Sequence, residues 1–191
     1  MNLTFLKTLQ IHPGSVHLAE GRSGIGRYVL AAGEAGIFHL EFGGTLREKA
    51  LRLLMAESKG RITDKNFPYP EALTWLEEFF QVTVSSFLTP IDLGSGTPFQ
   101  RKVWEEVFRI PRGQVTTYSN LARLTGSPSP RAVGTANGRN PLPIIIPCHR
   151  VVRKDGSMGG YGLGIPLKIR LLGLEGVPLT ETHEGMKVSS D

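Results

Sequence analysis

The first half of the chain alternates short apolar runs with glycine-rich turns and then changes to helical spacing. Residues 27–31 and 37–42 are apolar and β-prone, and the glycines between them predict a β-hairpin. Residues 45–56 begin with a capping box and carry leucines at helical intervals, which predicts a helix. A second helix is predicted over residues 71–80, and a short edge strand containing a proline over residues 87–93.

Helical spacing dominates the second half of the chain. The sequence Thr97-Pro98-Phe99-Gln100 predicts a capped helix that runs from Pro98 to about Arg109. Residues 118–124 and 130–137 predict two short helices on either side of a proline-rich corner, which is a helix-turn-helix pattern. Many helical proteins contain such corners without binding DNA, so the pattern alone does not assign a function. A final helix is predicted over residues 166–174.

These elements predict an α+β fold with two domains. Residues 1–93 are predicted to form an N-terminal α/β domain, a small sheet with helices. Residues 94–179 are predicted to form a mainly α-helical C-terminal domain that contains the helix-turn-helix unit, of winged-helix type. The polar tail, residues 180–191, is predicted to be disordered.

Composition narrows the class of protein. The chain has 191 residues, one cysteine and a formal net charge of +5. A single cysteine excludes an intrachain disulfide and favours a reducing compartment. No apolar run reaches the roughly 20 residues of a membrane span, and the N-terminus lacks a secretory signal. We therefore expect a cytoplasmic protein without a membrane partner, whose positive charge makes nucleic acid a candidate ligand.

The single cysteine, Cys148, is the candidate nucleophile. It follows an apolar run and a proline, and His149 and Arg150 come directly after it. A nearby cation lowers the pKa of a thiol and favours the reactive thiolate, which is the environment that we expect here. A free cysteine is more often a small buried hydrophobe, but a structural thiol gains nothing from two basic neighbours.

The second helix of the pair is unusually rich in small residues. It begins with Arg131 and continues with Ala132 and Gly134. Small side chains permit close approach, either of another helix within the protein or of a nucleic-acid groove. Composition alone leaves both interpretations open.

Residues 96–176 closely resemble the O6-alkylguanine-DNA alkyltransferases, proteins that repair DNA by direct reversal. The first half of the chain resembles them only in general layout. The motifs that carry the resemblance are Gly96-Thr97-Pro98-Phe99-Gln100, Arg131-Ala132-Val133-Gly134, Asn140-Pro141, Ile146-Pro147-Cys148-His149-Arg150-Val151, Gly160-Tyr161 and residues 168–175.

The resemblance implies a catalytic role for four residues. Cys148 would accept the alkyl group from guanine O6 irreversibly, once per molecule and without a cofactor. His149 would act as the base, through a water molecule, and Glu175 would orient its imidazole. Asn140 would brace the turn that carries the cysteine.

The resemblance also implies how double-stranded DNA containing O6-alkylguanine is bound. Arg131 would enter the base stack through the minor groove while the lesion is flipped out, on a helix whose Ala132 and Gly134 allow close approach. Tyr118 would donate a hydrogen bond to the leaving guanine. Val151 and Tyr161 would help to hold the flipped base.

Two departures from the family pattern bear on these expectations. Some relatives carry a structural zinc held by cysteines in the N-terminal domain, and this chain has no cysteine there, so we expect no metal. Animal members carry a hydroxyl after the pocket tyrosine, where this chain has Gly162.

We expect a monomer in solution, and cooperative binding on DNA stays open.

Three other functions compete with alkyl transfer. A lesion-binding relative recognises alkylguanine without accepting the group, but such relatives replace the cysteine that Cys148 provides. A helix-turn-helix regulator would need polar base-reading side chains on its second helix, where Ala132 and Gly134 offer none. A thiol hydrolase would need an acyl-substrate pocket, which nothing in the sequence suggests.

Overall fold

The computed structural model describes residues 15–43, 62–63, 66–81, 86–183 and 185–189. The fold is mixed α/β, with small sheets and short helices. The chain divides into two compact units, Met1–Ser95 and Gly96–Asp191. The helix predicted over residues 45–56 lies outside the described residues.

The described part of the first unit contains a four-stranded sheet. Its strands are β1 (Val16–Ser23), β2 (Gly26–Gly33), β3 (Gly36–Phe42) and β4 (Ile62–Thr63), in the order β3-β2-β1-β4. β2 pairs with β3 and with β1 in antiparallel fashion, which confirms the predicted hairpin, while β4 runs parallel to β1. β3 is almost wholly buried, since both of its faces are covered.

Among the described residues of the first unit, one helix accompanies this sheet, and one predicted strand is wrong. Helix α1 spans Pro70–Glu78 and buries Ala72 and Leu76, close to the predicted bounds. The strand predicted over residues 87–93 is reduced to a single bridge between Ile91 and Ile37. The amide of Ile37 donates to the carbonyl of Pro90 at 2.9 Å, but a proline has no N–H with which to extend the ladder.

The second unit begins with a helix that its own sequence caps. Helix α2 spans Pro98–Phe108. The amide of Gln100 donates to Thr97 Oγ1 at 3.2 Å, and the amide of Thr97 donates to Gln100 Oε1 at 2.9 Å. Both halves of the predicted capping box are therefore present, and the local sequence alone determines where this helix begins.

Two short helices pack against α2. The short strand β5 (Thr116–Thr117) leads into α3 (Tyr118–Thr125), and α4 spans Pro130–Gly138. The buried indole of Trp104 donates to the carbonyl of Ala136 at 2.8 Å, which fixes the last turn of α4 on α2. Burial of Val133 and Ala136 leaves the opposite side of α4 exposed.

The remaining elements surround the cysteine. A 3-10 helix spans Cys148–Arg150 and continues into β6 (Val151–Val152), which pairs in parallel with β5. Helix α5 spans Ile165–Leu174. Gly113 has a φ of 78°, and a Cβ there would lie 2.9 Å from the carbonyl oxygen of Glu175, so only glycine fits this turn.

The predicted disorder of residues 180–191 is wrong over most of the tail. Strands β7 (Leu179–Thr182) and β8 (Gly185–Val188) form an antiparallel hairpin. Their apolar side chains Leu179, Met186 and Val188 pack against a buried cluster of Met158, Leu172 and Val177. Burial of these few residues compensates for the polar composition on which the prediction rested.

No helix in the described part of the chain is long and apolar enough to cross a membrane.

We predict that Thr97→Ala destabilises the second unit by about 1 kcal/mol, because the first turn of α2 loses a side-chain cap. Urea unfolding monitored by tryptophan fluorescence in a Trp75→Phe background, where only Trp104 of the second unit fluoresces, measures the change. Thr97→Ser keeps the capping oxygen and is the matched control. Equal stability of the alanine and serine variants would contradict the contribution of the cap.

Candidate active site

Asn140 braces the turn that leads to the cysteine. Its Nδ2 donates to the carbonyl of Ile146 at 2.8 Å and to the sulfur of Cys148 at 3.1 Å. Its Oδ1 accepts from the amide of Leu142 at 2.9 Å. One side chain thus ties both ends of the turn together and holds the thiol directly.

The same turn contains a strained residue. Ile144 is 1% exposed and has a φ of 77°, a region that β-branched residues rarely adopt. Such a conformation costs on the order of 1–3 kcal/mol and persists only where neighbouring contacts enforce it. The hydrogen bonds of Asn140, together with the bond from the amide of Ile146 to the carbonyl of Leu142 at 2.8 Å, supply that enforcement.

A buried carboxylate connects the 3-10 helix to the end of α5. Glu175 Oε1 lies 2.9 Å from His149 Nε2 and accepts from Arg150 Nη2 at 2.8 Å. Its Oε2 accepts from Arg150 Nε, also at 2.8 Å. Arg150 further donates to the backbone carbonyl of Ile110. Because the two residues after Cys148 share this one carboxylate, Glu175 fixes the orientation of the cysteine turn relative to α5.

These contacts determine the charge of each group. Burial alone would raise the pKa of Glu175, but hydrogen bonds from His149 and Arg150 outweigh burial and lower that pKa to about 2. Burial lowers the pKa of His149, although Glu175 acts in the opposite direction. At neutral pH Glu175 is therefore ionised and His149 is a neutral imidazole that can accept a proton.

The expected lowering of the pKa of Cys148 by its two basic neighbours is wrong for this structure. Burial raises the pKa of the thiol, and the hydrogen bond from Asn140 and the charge of Lys168 only partly offset it. Arg150 is engaged by Glu175, and His149 is neutral, so neither supplies the expected positive charge. The resting site holds a thiol and a base rather than a thiolate.

Lys168 is a site residue to which the sequence analysis gave no role. This lysine of α5 is 0% exposed, and its ammonium group donates to the backbone carbonyls of Val151 and Met158. Burial lowers the pKa of Lys168 to about 8, and Cys148 acts in the opposite direction. A lysine within an apolar helix normally extends its charge to solvent, so the sequence held no signal of this burial.

Two tyrosines lie within electrostatic range of the thiol. The hydroxyl of Tyr118 donates to the carbonyl of Gly160 at 3.5 Å, a long contact. The ring of Tyr161 lies 6.3 Å from that of His149, and its buried hydroxyl has no hydrogen-bond partner among the described residues. Burial, followed by the interaction with Cys148, raises the pKa of both phenols, so both remain protonated donors.

Asn137 is a second contact that the sequence analysis missed. It is 5% exposed in the last turn of α4, and its Nδ2 donates to the carbonyl of Cys148 at 3.4 Å. Its spacing within a helix of small residues gave no sign that the side chain points inward.

The other predicted site residues separate into two groups. Val151 is buried beside the cysteine turn, where its carbonyl already accepts from Lys168. Arg131 is exposed, and Ala132 and Gly134 are partly exposed, in the first two turns of α4. Within the described residues, no group of three or more His, Cys, Asp or Glu side chains could hold a metal ion.

Comparisons with known proteins assign the chain to a family. The DNA-binding domain of 6-O-methylguanine DNA methyltransferase, as a family model, matches residues 98–177. The methylated-DNA–protein-cysteine methyltransferase of Methanosarcina barkeri is 42% identical over 157 residues, which cover 80% of this chain and 92% of that protein. The corresponding constitutive protein of Bacillus subtilis is 43% identical, over 58% of this chain and 68% of that one.

Solved structures agree with the sequence comparisons. The Mycobacterium tuberculosis protein OGT, solved in complex with DNA, is 34% identical with a TM-score of 0.69, over 83% of this chain and 92% of that chain. The O6-methylguanine-DNA methyltransferase of Pyrococcus kodakaraensis is 32% identical with a TM-score of 0.59, over 85% and 99%. The fold is that of the solved O6-methylguanine-DNA methyltransferases. The chain belongs to the methylated-DNA–protein-cysteine methyltransferase family of DNA repair proteins.

We predict that Glu175→Gln destabilises the protein by about 3–5 kcal/mol at neutral pH, because Arg150 is left buried without its counter-charge. The pKa of Glu175 is about 2 when folded against an ordinary 4.5. The ionised carboxylate therefore stabilises the fold above about pH 4.5, and this stabilisation is lost as the pH falls toward 2.

Urea unfolding at a series of pH values measures the free energy of unfolding of the wild type and of Glu175→Gln. The difference between these two free energies should become smaller as the pH falls. Glu181→Gln, at an exposed position of the hairpin, is the control and should change little. A difference between wild type and Glu175→Gln that is independent of pH would contradict this assignment.

Proposed function

We propose that this protein repairs DNA by direct reversal, transferring the alkyl group of O6-alkylguanine to Cys148 in a single turnover. The observation that carries the proposal is the setting of the thiol. Its sulfur is held at 3.1 Å by Asn140, and the next residue, His149, is a neutral base held by Glu175. A thiol with an adjacent oriented base is the arrangement that nucleophilic transfer requires.

The transfer step is a displacement at the alkyl carbon. As the thiol proton passes toward His149, through a water molecule, the S–C bond forms and the bond between the carbon and guanine O6 breaks. Glu175 stabilises the imidazolium that results. The immediate products are S-alkylcysteine, the imidazolium and a guanine anion, and return of the proton from the imidazolium through the water gives neutral guanine and neutral His149. No residue of the site provides a route back to the thiol. No cofactor takes part in this scheme.

The guanine that leaves carries negative charge, which the phenol of Tyr118 is suited to neutralise. Tyr118 remains protonated because burial raises its pKa. The hydroxyl of Tyr161, buried and without a partner among the described residues, is a second donor that a bound base could satisfy. We assign Tyr118 to a ring nitrogen of guanine, and Tyr161 together with the backbone near Val151 to holding the base.

A base within a duplex cannot reach a thiol that is only 7% exposed, so the lesion must leave the stack. We assign DNA binding to α3 and α4 as a helix-turn-helix unit. Arg131 is exposed in the first turn of α4, and the neighbouring Ala132 and Gly134 permit close approach to the minor groove. The M. tuberculosis OGT structure in complex with DNA supports DNA binding itself.

Two competing functions fit the site less well. A non-transferring lesion sensor has no use for a thiol braced by Asn140 beside a base. A regulator that reads the major groove would present base-reading groups on α4, where Ala132 and Gly134 carry none. We also propose that the protein acts as a monomer and that it is located in the cytoplasm.

We predict that Cys148→Ala abolishes removal of the methyl group from a duplex oligonucleotide with one O6-methylguanine, while DNA affinity changes little. Chromatography of the digested DNA measures the lesion, and a gel-shift titration measures the affinity. Loss of O6-methylguanine in the presence of the alanine variant would show that another residue is the acceptor.

We predict that Arg131→Ala slows repair of duplex DNA by at least about tenfold, because the vacated stack loses the side chain that replaces the flipped base. Reaction with free O6-benzylguanine, which needs no flipping, should stay within about twofold of the wild type.

Arg139→Ala is the matched control, since Arg139 is an exposed arginine at the other end of α4. It removes the same charge and should have the smaller effect on duplex repair. Equal loss on both substrates, or equal loss in both variants, would remove Arg131 from the flipping role.

A further inference from the structure

We propose that the C-terminal hairpin, β7 with β8, positions the segment of residues 156–161 that forms one wall of the alkyl-acceptor site. The hairpin would thereby set the affinity of the site for the flipped base. This inference rests on the proposed function. It gives a role in base binding to the β7–β8 hairpin, which contains none of the proposed catalytic residues.

The hairpin pairs with the first two residues of this segment. The amide of Val188 donates to the carbonyl of Gly156 at 3.0 Å, and Ser157 forms an antiparallel bridge with Lys187. Gly156 has a φ of 79°, and a Cβ there would lie 2.8 Å from the carbonyl oxygen of Val188. The approach of the two backbones is so close that only glycine fits.

Apolar contacts reinforce the backbone pairing. Met158 is 5% exposed and packs in one cluster with residues of α5 and of the hairpin. The hairpin residues in this cluster are Leu179, Met186 and Val188. The carbonyl of the same Met158 accepts from Lys168, whose charge acts on Cys148. Met158 therefore connects the hairpin to the electrostatic environment of the thiol.

The next residues pass directly from the hairpin contact to the two site tyrosines. A Cβ on Gly159, which has a φ of 65°, would lie 3.0 Å from the ring of Tyr118. The carbonyl of Gly160 accepts from the Tyr118 hydroxyl at 3.5 Å, and Tyr161 follows. Displacement of the loop at Ser157 would therefore move the contacts of both phenols.

Residues 158–161 have no regular secondary structure, so their order depends on what holds them at each end. Fixing the backbone of one residue costs about 1–2 kcal/mol of conformational entropy, and the hairpin offsets part of this cost before the base arrives. Without the hairpin, the binding of the base would have to order the loop. The apparent affinity for the base would then equal the intrinsic affinity multiplied by the fraction of molecules in which the loop is already in place.

The test compares three forms of the protein: the full chain, a chain ending at Pro178, and the double variant Met186→Ser with Val188→Ser. The double variant removes the apolar contacts of β8 and keeps the chain length. Glu181→Ser with His183→Ser, at exposed hairpin positions, is the matched control. Far-UV circular dichroism and thermal unfolding establish that each form is folded at the assay temperature.

The readout is the rate of Cys148 alkylation by free O6-benzylguanine over a range of concentrations, which separates the saturation constant from the limiting rate. We expect the shortened chain and the Met186/Val188 variant to raise the saturation constant about tenfold and to leave the limiting rate within about twofold. The control should match the full chain. An unchanged saturation constant, or a fall in the limiting rate alone, would overturn the proposal.

Amide hydrogen exchange distinguishes failure of this inference from failure of the proposed function. If the full chain accepts no alkyl group, the proposed function fails, but exchange in residues 156–161 still reports on the hairpin. Faster exchange there in the shortened chain, with unchanged exchange in α2, would support the positioning role. Equal protection of residues 156–161 in both chains would overturn it.

Discussion

The structure of the site depends on one buried carboxylate that is shared by two basic side chains. Glu175 directly follows α5 and accepts hydrogen bonds from the two residues after Cys148, His149 and Arg150. A buried charge is tolerated only when it is paired and fully hydrogen-bonded, and here the pairing keeps the pKa of Glu175 at about 2. The interaction joins the turn to α5 and also keeps the cationic charge of Arg150 away from the thiol.

A neutral resting site follows from this sharing. Burial raises the pKa of Cys148 and lowers the pKa of His149. At neutral pH the thiol therefore keeps its proton, and the imidazole is neutral and able to accept one. In the proposed transfer, the thiol loses its proton only when a substrate is bound whose leaving guanine can take up charge. Asn140 and Lys168 moderate the cost of forming the thiolate, the first by a hydrogen bond to sulfur and the second by its positive charge.

The features that sequence reasoning predicted are those that neighbouring residues determine. The capping box at Thr97 and Gln100 fixes the start of α2, and the glycines between β2 and β3 fix their hairpin. The contact between His149 and Glu175, which are 26 residues apart, was expected only from the resemblance to the alkyltransferases, and the two side chains do meet. What the Cys148 motif predicted incorrectly was the charge at the thiol, since Arg150 bonds a partner that is distant in the chain.

The features that escaped prediction depend on contacts between distant segments. The residues next to Lys168 in the sequence do not indicate that its ammonium group donates to the backbone carbonyls of Val151 and Met158 inside the fold. The hairpin β7–β8 likewise gains its stability from Met158 and Leu172, which belong to other elements. A polar tail therefore resembled a disordered one until its packing partners were in place.

The central claim is that Cys148 is a single-use alkyl acceptor. Mass spectrometry of the intact protein, followed by peptide mapping, tests it most directly after incubation with an excess of duplex DNA containing O6-methylguanine. A single-use acceptor gains one methyl group per molecule, located on the peptide of Cys148, with no further loss of lesion once the protein is consumed. Continued removal of lesions beyond one per molecule, or a methyl group on any other residue, would contradict this claim.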